Sequence, residues 1–465
     1  MPIEKILPGF VPGMAQTMNQ TEQRVAPLPR VAPPPSGSRM NITGRLGRAT
    51  SVMVVLTLLA SAINYGSNVV FSHLLSTAAY GDFTALIAVV VIAAVPTGAA
   101  QTVVAERVAV LLAQGNHDRV RYLMRHAVGH IVSIATVVGI VYVACIPLVQ
   151  SALGLQAIGP AVALAPLLVL SLFVPVASGV LQGMERFVAL GSILLLVAAS
   201  RLAFGIPWTL AGGGAGGPLL GQALGTAIAL VITAWLTRSY ILGRGTGAAT
   251  SGLRRKPDRR TLAAGGAFTA FAVISNLDVL LAKLLLSPHA AGEYAALVTI
   301  EKIIIFLPGA VAVVMVPSAA KAALVGESSA RVLRIAASLV LATTLVVAVP
   351  AALAPHLVLR VMFGQKYVAA AAGVLPIVCA GAVLALLYLL VVYTVAIQDK
   401  RWVWLLAGGV VLQIGSIFAL HSSPVEIAAV QASVVTIVLL ANEFLFHPIL
   451  RGERLFMRLI RASPR

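Results

Sequence analysis

Five charged side chains stand inside stretches that are otherwise apolar. Arg201 lies in "LLLVAASRLAFGIP", Asp278 and Lys283 in "SNLDVLLAKLLL", and Glu301 and Lys302 in "ALVTIEKIIIF". A charge placed in hydrocarbon costs about 3 kcal/mol on insertion scales, so each is a candidate for function. Guanidinium and ammonium groups are the side chains that pair with phosphate. The carboxylates could pair with those cations, help bind a cargo or take up a coupling ion. At ~1.5 Å of rise per residue, Arg201, Asp278, Glu301 and Lys302 fall at one depth near the middle of their stretches, with Lys283 nearer one mouth. The amides Asn64, Gln101 and Asn276, with Asn68 and Gln413, are further intramembrane polar groups. They would hydrogen-bond ligand hydroxyls or join helix to helix. The alternative for the charged set is purely structural, with Asp278 pairing to Lys302 across neighbouring helices.

The elements that hold these residues follow from composition. The 465 residues are 59% hydrophobic and 10% charged, with a mean hydropathy of +0.97. A soluble domain carries about a quarter charged residues, so this chain cannot cover a water-facing surface. Apolar runs near the ~20 residues that cross a bilayer as a helix recur along it. The short alternating segments of a membrane barrel are absent. The expected fold is all-α and polytopic, with about twelve spans near 50–72, 83–106, 126–148, 157–181, 187–210, 218–241, 262–286, 293–320, 332–354, 368–397, 402–420 and 424–446. The tenth is long for a straight span, so tilt or a cytoplasmic extension is expected.

The net charge of +18 is placed by topology. Of 33 Lys and Arg residues, 28 fall in the two tails and on alternate loops, while the opposite loops hold only Arg360 and Lys366. This is the positive-inside pattern. It puts both termini in the cytoplasm, matches an even number of spans, and makes anionic lipid headgroups the counter-charge, with no nucleic acid required. Residues 1–48, with "APLPRVAPPPSGS", are Pro-rich and lack an apolar run, so a disordered cytoplasmic tail is expected there, not a signal peptide. Residues 243–261 form a basic linker and 447–465 a basic tail. Cys145 and Cys379 stand alone inside spans and read as packing.

The chain repeats itself. "LLSTAAYGDFTAL" (74–86) returns as "LLSPHAAGEYAAL" (285–297), with Asp82/Glu293 and Phe83/Tyr294 conserving their chemistry. "LGLQAIGPAVALAPLLV" matches "FGQKYVAAAAGVLPIVC" at an offset of 210, and "LQGMERF" matches "IQDKRW". Three landmarks in order imply two six-helix bundles, 49–242 and 262–446. Six is even, so the copies insert with the same orientation, as in transporters that bind substrate between rocking halves. In the hairpin, the Gly is expected to make the turn and the acidic residue to sit at a helix start. Positions 278, 302 and 283 map to Ser67, Val91 and Ser72, so these charges are not needed merely to build a bundle.

The segment "LSPHAAGEYAAL", the span "FLPGAVAVVMVP", the stretch "MFGQKYVAAAAGVLP" and "LQGMERF" resemble the polysaccharide-transporter branch of the multidrug/oligosaccharidyl-lipid/polysaccharide (MOP) flippase superfamily. The likeness runs over residues 50 to 450. It implies a bacterial plasma-membrane protein that flips polyprenyl-pyrophosphate-linked glycans or exports polysaccharide by alternating access. Glycosyltransferases or a polymerase of the same pathway would be its partners. On that reading, Arg201, Lys302 and Lys283 offer a path for the pyrophosphate. The first span carries no charge, unlike the Arg-bearing first helices of lipid II flippases and the carboxylate-bearing ones of many multidrug exporters.

Enzymatic readings lack their residues. There is no G-x-x-x-x-G-K-[ST] loop, no CxxC metal-ligand pair, and no carboxylate pair in an external loop. No cofactor is expected. An ion-coupled small-molecule antiporter and a non-transporting scaffold for envelope polysaccharide assembly remain alternatives.

Overall fold

The structure is a computed structural model that describes residues 36–242, 259–305, 329–396 and 401–445. The expected C-terminal tail, most of the linker 243–261 and residues 1–35 lie outside the described residues. Among those described, eleven helices are long and apolar enough to cross a membrane. The chain is a multi-pass membrane protein.

In chain order the first half holds α1 (Ser36–Leu74), α2 (Thr77–Ala113), α3 (His117–Ala152), α4 (Ile158–Ser171), α5 (Val174–Gly183), α6 (Phe187–Trp208), α7 (Gly216–Leu236) and the short α8 (Arg238–Leu242). The second half holds α9 (Arg259–Ile274), α10 (Leu277–Leu285), α11 (residues 288–305), α12 (Ser329–Leu353), α13 (Pro355–Met362), α14 (Val374–Ala396), α15 (Arg401–Ala419) and α16 (Pro424–Leu445). The first helix therefore begins within the expected tail. The eighth expected span, 293–320, is described only as far as residue 305.

The duplication is visible as packing. In the first half α3 packs on α4, α4 on α7 and α6 on α7; in the second, α12 packs on α14, α14 on α16 and α15 on α16. The halves meet where α2 lies against α9 and α10. Large apolar side chains such as Val137, Ile140, Val346 and Val411 point outward, more than half exposed. In a bilayer that surface faces acyl chains, so it costs nothing to leave unburied.

Local chemistry explains where the chain turns. Ser76 caps α2 by accepting from the Ala79 N–H at 3.2 Å, and Asn116 caps α3 through the Arg119 N–H at 3.3 Å. Between α2 and α3, Gly115 takes φ +67°, which favours glycine. The fourth span breaks at Leu172–Phe173, with Pro175 in the first turn of α5, where its missing N–H is no loss. The tenth span opens with a 3-10 stretch, Gln365–Gly373, before α14. That tight coil takes up part of a segment too long for a single straight span.

The repeated hairpins differ from expectation. Gly81 and Gly292 are not turn residues. Both lie inside helices, and they face each other across the two halves. A Cβ on Gly81 would sit 3.0 Å from the Gly292 backbone nitrogen. Asp82 lies beyond the first turn of α2, so the helix dipole does not account for it.

Candidate functional site

The seventh span is the element that builds the site, and its sequence breaks it. The Asn276 side chain donates to the Ala272 carbonyl at 2.8 Å and to Ser275 Oγ at 3.0 Å. Such local bonds compete with the helical ladder, so α9 stops at Ile274 and α10 restarts at Leu277. The freed carbonyls are satisfied from neighbouring helices, as membrane-buried backbone requires. Ile274 O accepts from Gln413 Nε2 at 3.0 Å and Gln431 Nε2 at 3.1 Å. Ser275 O accepts from the Lys302 ammonium. Asp278 falls in the first turn of α10, where a carboxylate is favoured.

Beside this break lies a cavity of about 230 Å³ between the halves. Its walls come from α1, α2 and α6 on one side and the seventh span and α11 on the other. Arg201 and Lys302 both line it, as do Asn64, Asn68 and Asn276. Among the described residues the lining contains two cations and no carboxylate. The cations come from opposite halves and converge on one space.

Arg201 is 3% exposed. Its guanidinium donates twice to Gln222 Oε1, and to Ser67 Oγ at 3.3 Å and Asn68 Oδ1 at 3.4 Å. It also lies 5.6 Å from the centre of the Phe83 ring. All these partners are neutral, so among the described residues the charge is solvated by dipoles and meets no anion. Close helix packing sets its position. A Cβ on Gly221 would lie 2.5 Å from the Gly205 nitrogen and 3.2 Å from the Arg201 carbonyl, so α7 can press against α6 at Arg201 only with glycine there.

Lys302 differs. Its Nζ lies 3.3 Å from Glu301 Oε2, so its charge is compensated. Asp278 and Glu301 are fully buried and do not line the cavity. Asp278 accepts from the Tyr294 hydroxyl at 2.7 Å, while the carboxylate within ion-pair distance of Lys302 is Glu301. Lys283 is also outside the cavity lining. Its Nζ lies 2.6 Å from Asp82 Oδ1. Gln101 sits apart and donates to Gln182 at 3.4 Å. Of the ten residues singled out from sequence, Arg201, Lys302, Asn64, Asn68 and Asn276 share the cavity.

Sequence reasoning missed Gln222, Tyr65, Phe83, Thr84 and Thr299, which line the cavity or hold Arg201. A lone neutral side chain in an apolar run gives no signal of the face it occupies. Asp82 was legible in principle, since it shares the mouth-side depth of Lys283. A second cavity, also about 230 Å³, lies within the first half and shares Asn64 and Tyr65 with the central one. Its polar lining is neutral, including Ser61, Ser178 and Gln222.

Fold and site together define an all-α membrane protein of two helical repeats around a central polar cavity. No family model and no curated protein matches the sequence. Solved structures do match the fold. The chain is similar to an inward-facing multidrug resistance MATE family transporter of the MOP superfamily, at 15% identity and a TM-score of 0.62, covering 89% of this chain and 100% of that one. Against an outward-facing MATE family transporter the TM-score is 0.51, at 14% identity over 90% and 97% of the two chains. The lipid II flippase MurJ, in an inward closed conformation, matches at 12% identity and a TM-score of 0.61, covering 86% of each chain. The architecture is therefore the two-repeat fold of MOP-superfamily transporters.

Proposed function

We propose that the chain carries an anionic, lipid-linked glycan of the polyprenyl-diphosphate class across the membrane by alternating access. Arg201 carries the reading: a buried guanidinium with neutral partners, facing a cavity that no carboxylate lines among the described residues. Such a charge is costly to keep unless a ligand completes it. Lys302, on the opposite half, supplies the second arm of a clamp for a diphosphate. The neutral hydroxyl- and amide-bearing pocket of the first half adjoins the guanidinium and suits the sugar that follows the phosphates. The polyprenyl tail would stay in lipid.

In this reading the chain lies in a bacterial plasma membrane with both termini cytoplasmic, and it works beside glycosyltransferases or a polymerase. The buried carboxylates Asp278 and Glu301 give the second half a place to take a proton or cation. A cationic-drug antiporter is less well served by this cavity, because among the described residues a cation would meet two like charges and no carboxylate.

The test is reconstitution into liposomes with a fluorescent polyprenyl-diphosphate glycan. Arg201→Gln should weaken headgroup binding about ten- to a hundredfold, the loss of a charged hydrogen-bonding partner worth ~1.5–3 kcal/mol. Flipping by Arg201→Gln at the wild-type rate, with wild-type affinity, would remove the cavity from the mechanism.

A further inference from the structure

We propose that Asp82 and Lys283 form a latch between the halves that closes the central cavity on the face bearing the Leu74–Thr77 hairpin. The latch regulates access to the site, and it rests on the alternating-access reading above.

The ion pair crosses between halves, from α2 to α10. Its 2.6 Å contact is sealed, with both side chains 2% exposed. Asp82 Oδ2 also accepts from the Gln156 N–H at 3.4 Å, which holds the carboxylate in place. Three more inter-half bonds gather at this face. Lys366 Nζ donates to Leu75 O at 2.5 Å, Tyr367 OH to Ser72 O at 3.3 Å, and His73 Nε2 to Met362 O at 3.0 Å. Gly81 and Gly292 allow the backbones to touch where these bonds form.

The repeat separates latch from scaffold. Asp82 corresponds to Glu293 and Lys283 to Ser72, so the symmetry-related position holds no ion pair. Glu293 instead lies 3.6 Å from His289 on its own helix. A pair made once, between copies that were built alike, joins the halves and is not needed to fold either of them.

The latch also touches the site. Phe83 follows Asp82 and carries the Arg201 guanidinium on its ring. Tyr80, one helical turn before Thr84, bonds Thr299 at 2.7 Å, and both threonines line the cavity. A ligand that draws Arg201 away from Phe83 therefore acts on the residue next to the latch.

Removing one member of a buried pair strands the other charge away from water. The stranded group is hydrated only if the face opens. The experiment places a single reporter cysteine at Thr84 (T84C) in a chain lacking Cys145 and Cys379, with no cargo present. A membrane-impermeant maleimide is applied to right-side-out and to inside-out vesicles. Asp82→Asn or Lys283→Met should raise labelling from the hairpin face about tenfold or more. The reversal D82K/K283D should return it towards the parent rate. If the single variants are not monodisperse, the double variant D82N/K283M, which buries no charge, must show the increase. Labelling at the parent rate in a folded single or double variant overturns the proposal, as does a folded reversal that stays open. Labelling of the empty protein is independent of diphosphate binding. A latch that opens as described in a protein that binds no diphosphate lipid would sink the cargo assignment alone.

Discussion

Replacing Gly292 with alanine tests how closely the two halves must approach. In the structure, a Cβ at residue 292 would lie 1.9 Å from the Thr77 carbonyl oxygen and 2.5 Å from its carbon. Real contacts of this kind stay at or beyond 3.0 Å, so the starts of α2 and α11 must part by about 1.1 Å. The obstacle is backbone, which cannot swing aside like a long side chain. Overpacking of this order costs ~1–3 kcal/mol, and the closed hairpin face bears it while a parted one does not. The closed-to-open ratio should fall about 5- to 150-fold. Gly81→Ala is the graded control. Its Cβ would lie 3.0 Å from the Gly292 nitrogen and 3.1 Å from its Cα, so a shift of a few tenths of an ångström suffices and the effect should be much smaller. Spin labels at the exposed Ser76 and Ser287 report the separation of the two hairpins by pulsed dipolar spectroscopy. Gly292→Ala should broaden and lengthen that distance distribution. A distribution identical to the parent's, or a larger shift in Gly81→Ala than in Gly292→Ala, would refute the reasoning.

Two predictions concern what holds the second half together. Trp402→Phe removes the buried indole donor that Asn442 Oδ1 accepts at 2.7 Å, and should lower stability by ~1–3 kcal/mol, read as a lower unfolding temperature in detergent. Lys302→Met leaves fully buried Glu301 without its cation and should cost ~3–5 kcal/mol. The double variant E301Q/K302M should melt closer to the parent than Lys302→Met does. Equal melting of single and double variants would show that the pair is not energetically coupled.

Much of the site was legible because charge in an apolar helix is rare and costly. That rule alone picked out Arg201 and Lys302, and the shared depth of their spans placed both near the midplane. It did not reveal that Lys283 turns towards Asp82, or that Glu301 faces away from the cavity that its neighbour Lys302 lines. Residues one apart on a helix point about 100° apart, and which of those directions meets cavity or core depends on how the helices are rotated in the bundle. The break at Ser275–Asn276 was likewise hidden, because a Ser-Asn pair within an apolar run is compatible with a continuous helix. It becomes a break only where Gln413, Gln431 and Lys302 are present to take up the freed carbonyls.

The sequence by itself determined a polytopic helical membrane protein with an internal duplication. Hydropathy and repeat spacing are properties of local segments and need no partner to be read. Tertiary structure decided which polar groups face one another. Arg201 is solvated by Gln222, Ser67 and Asn68 from two other helices, and the two hairpin glycines serve contact between halves, not turns. Both outcomes depend on helix rotation and on the approach of residues some two hundred positions apart. Those are set by packing over the whole bundle, and no local pattern encodes them.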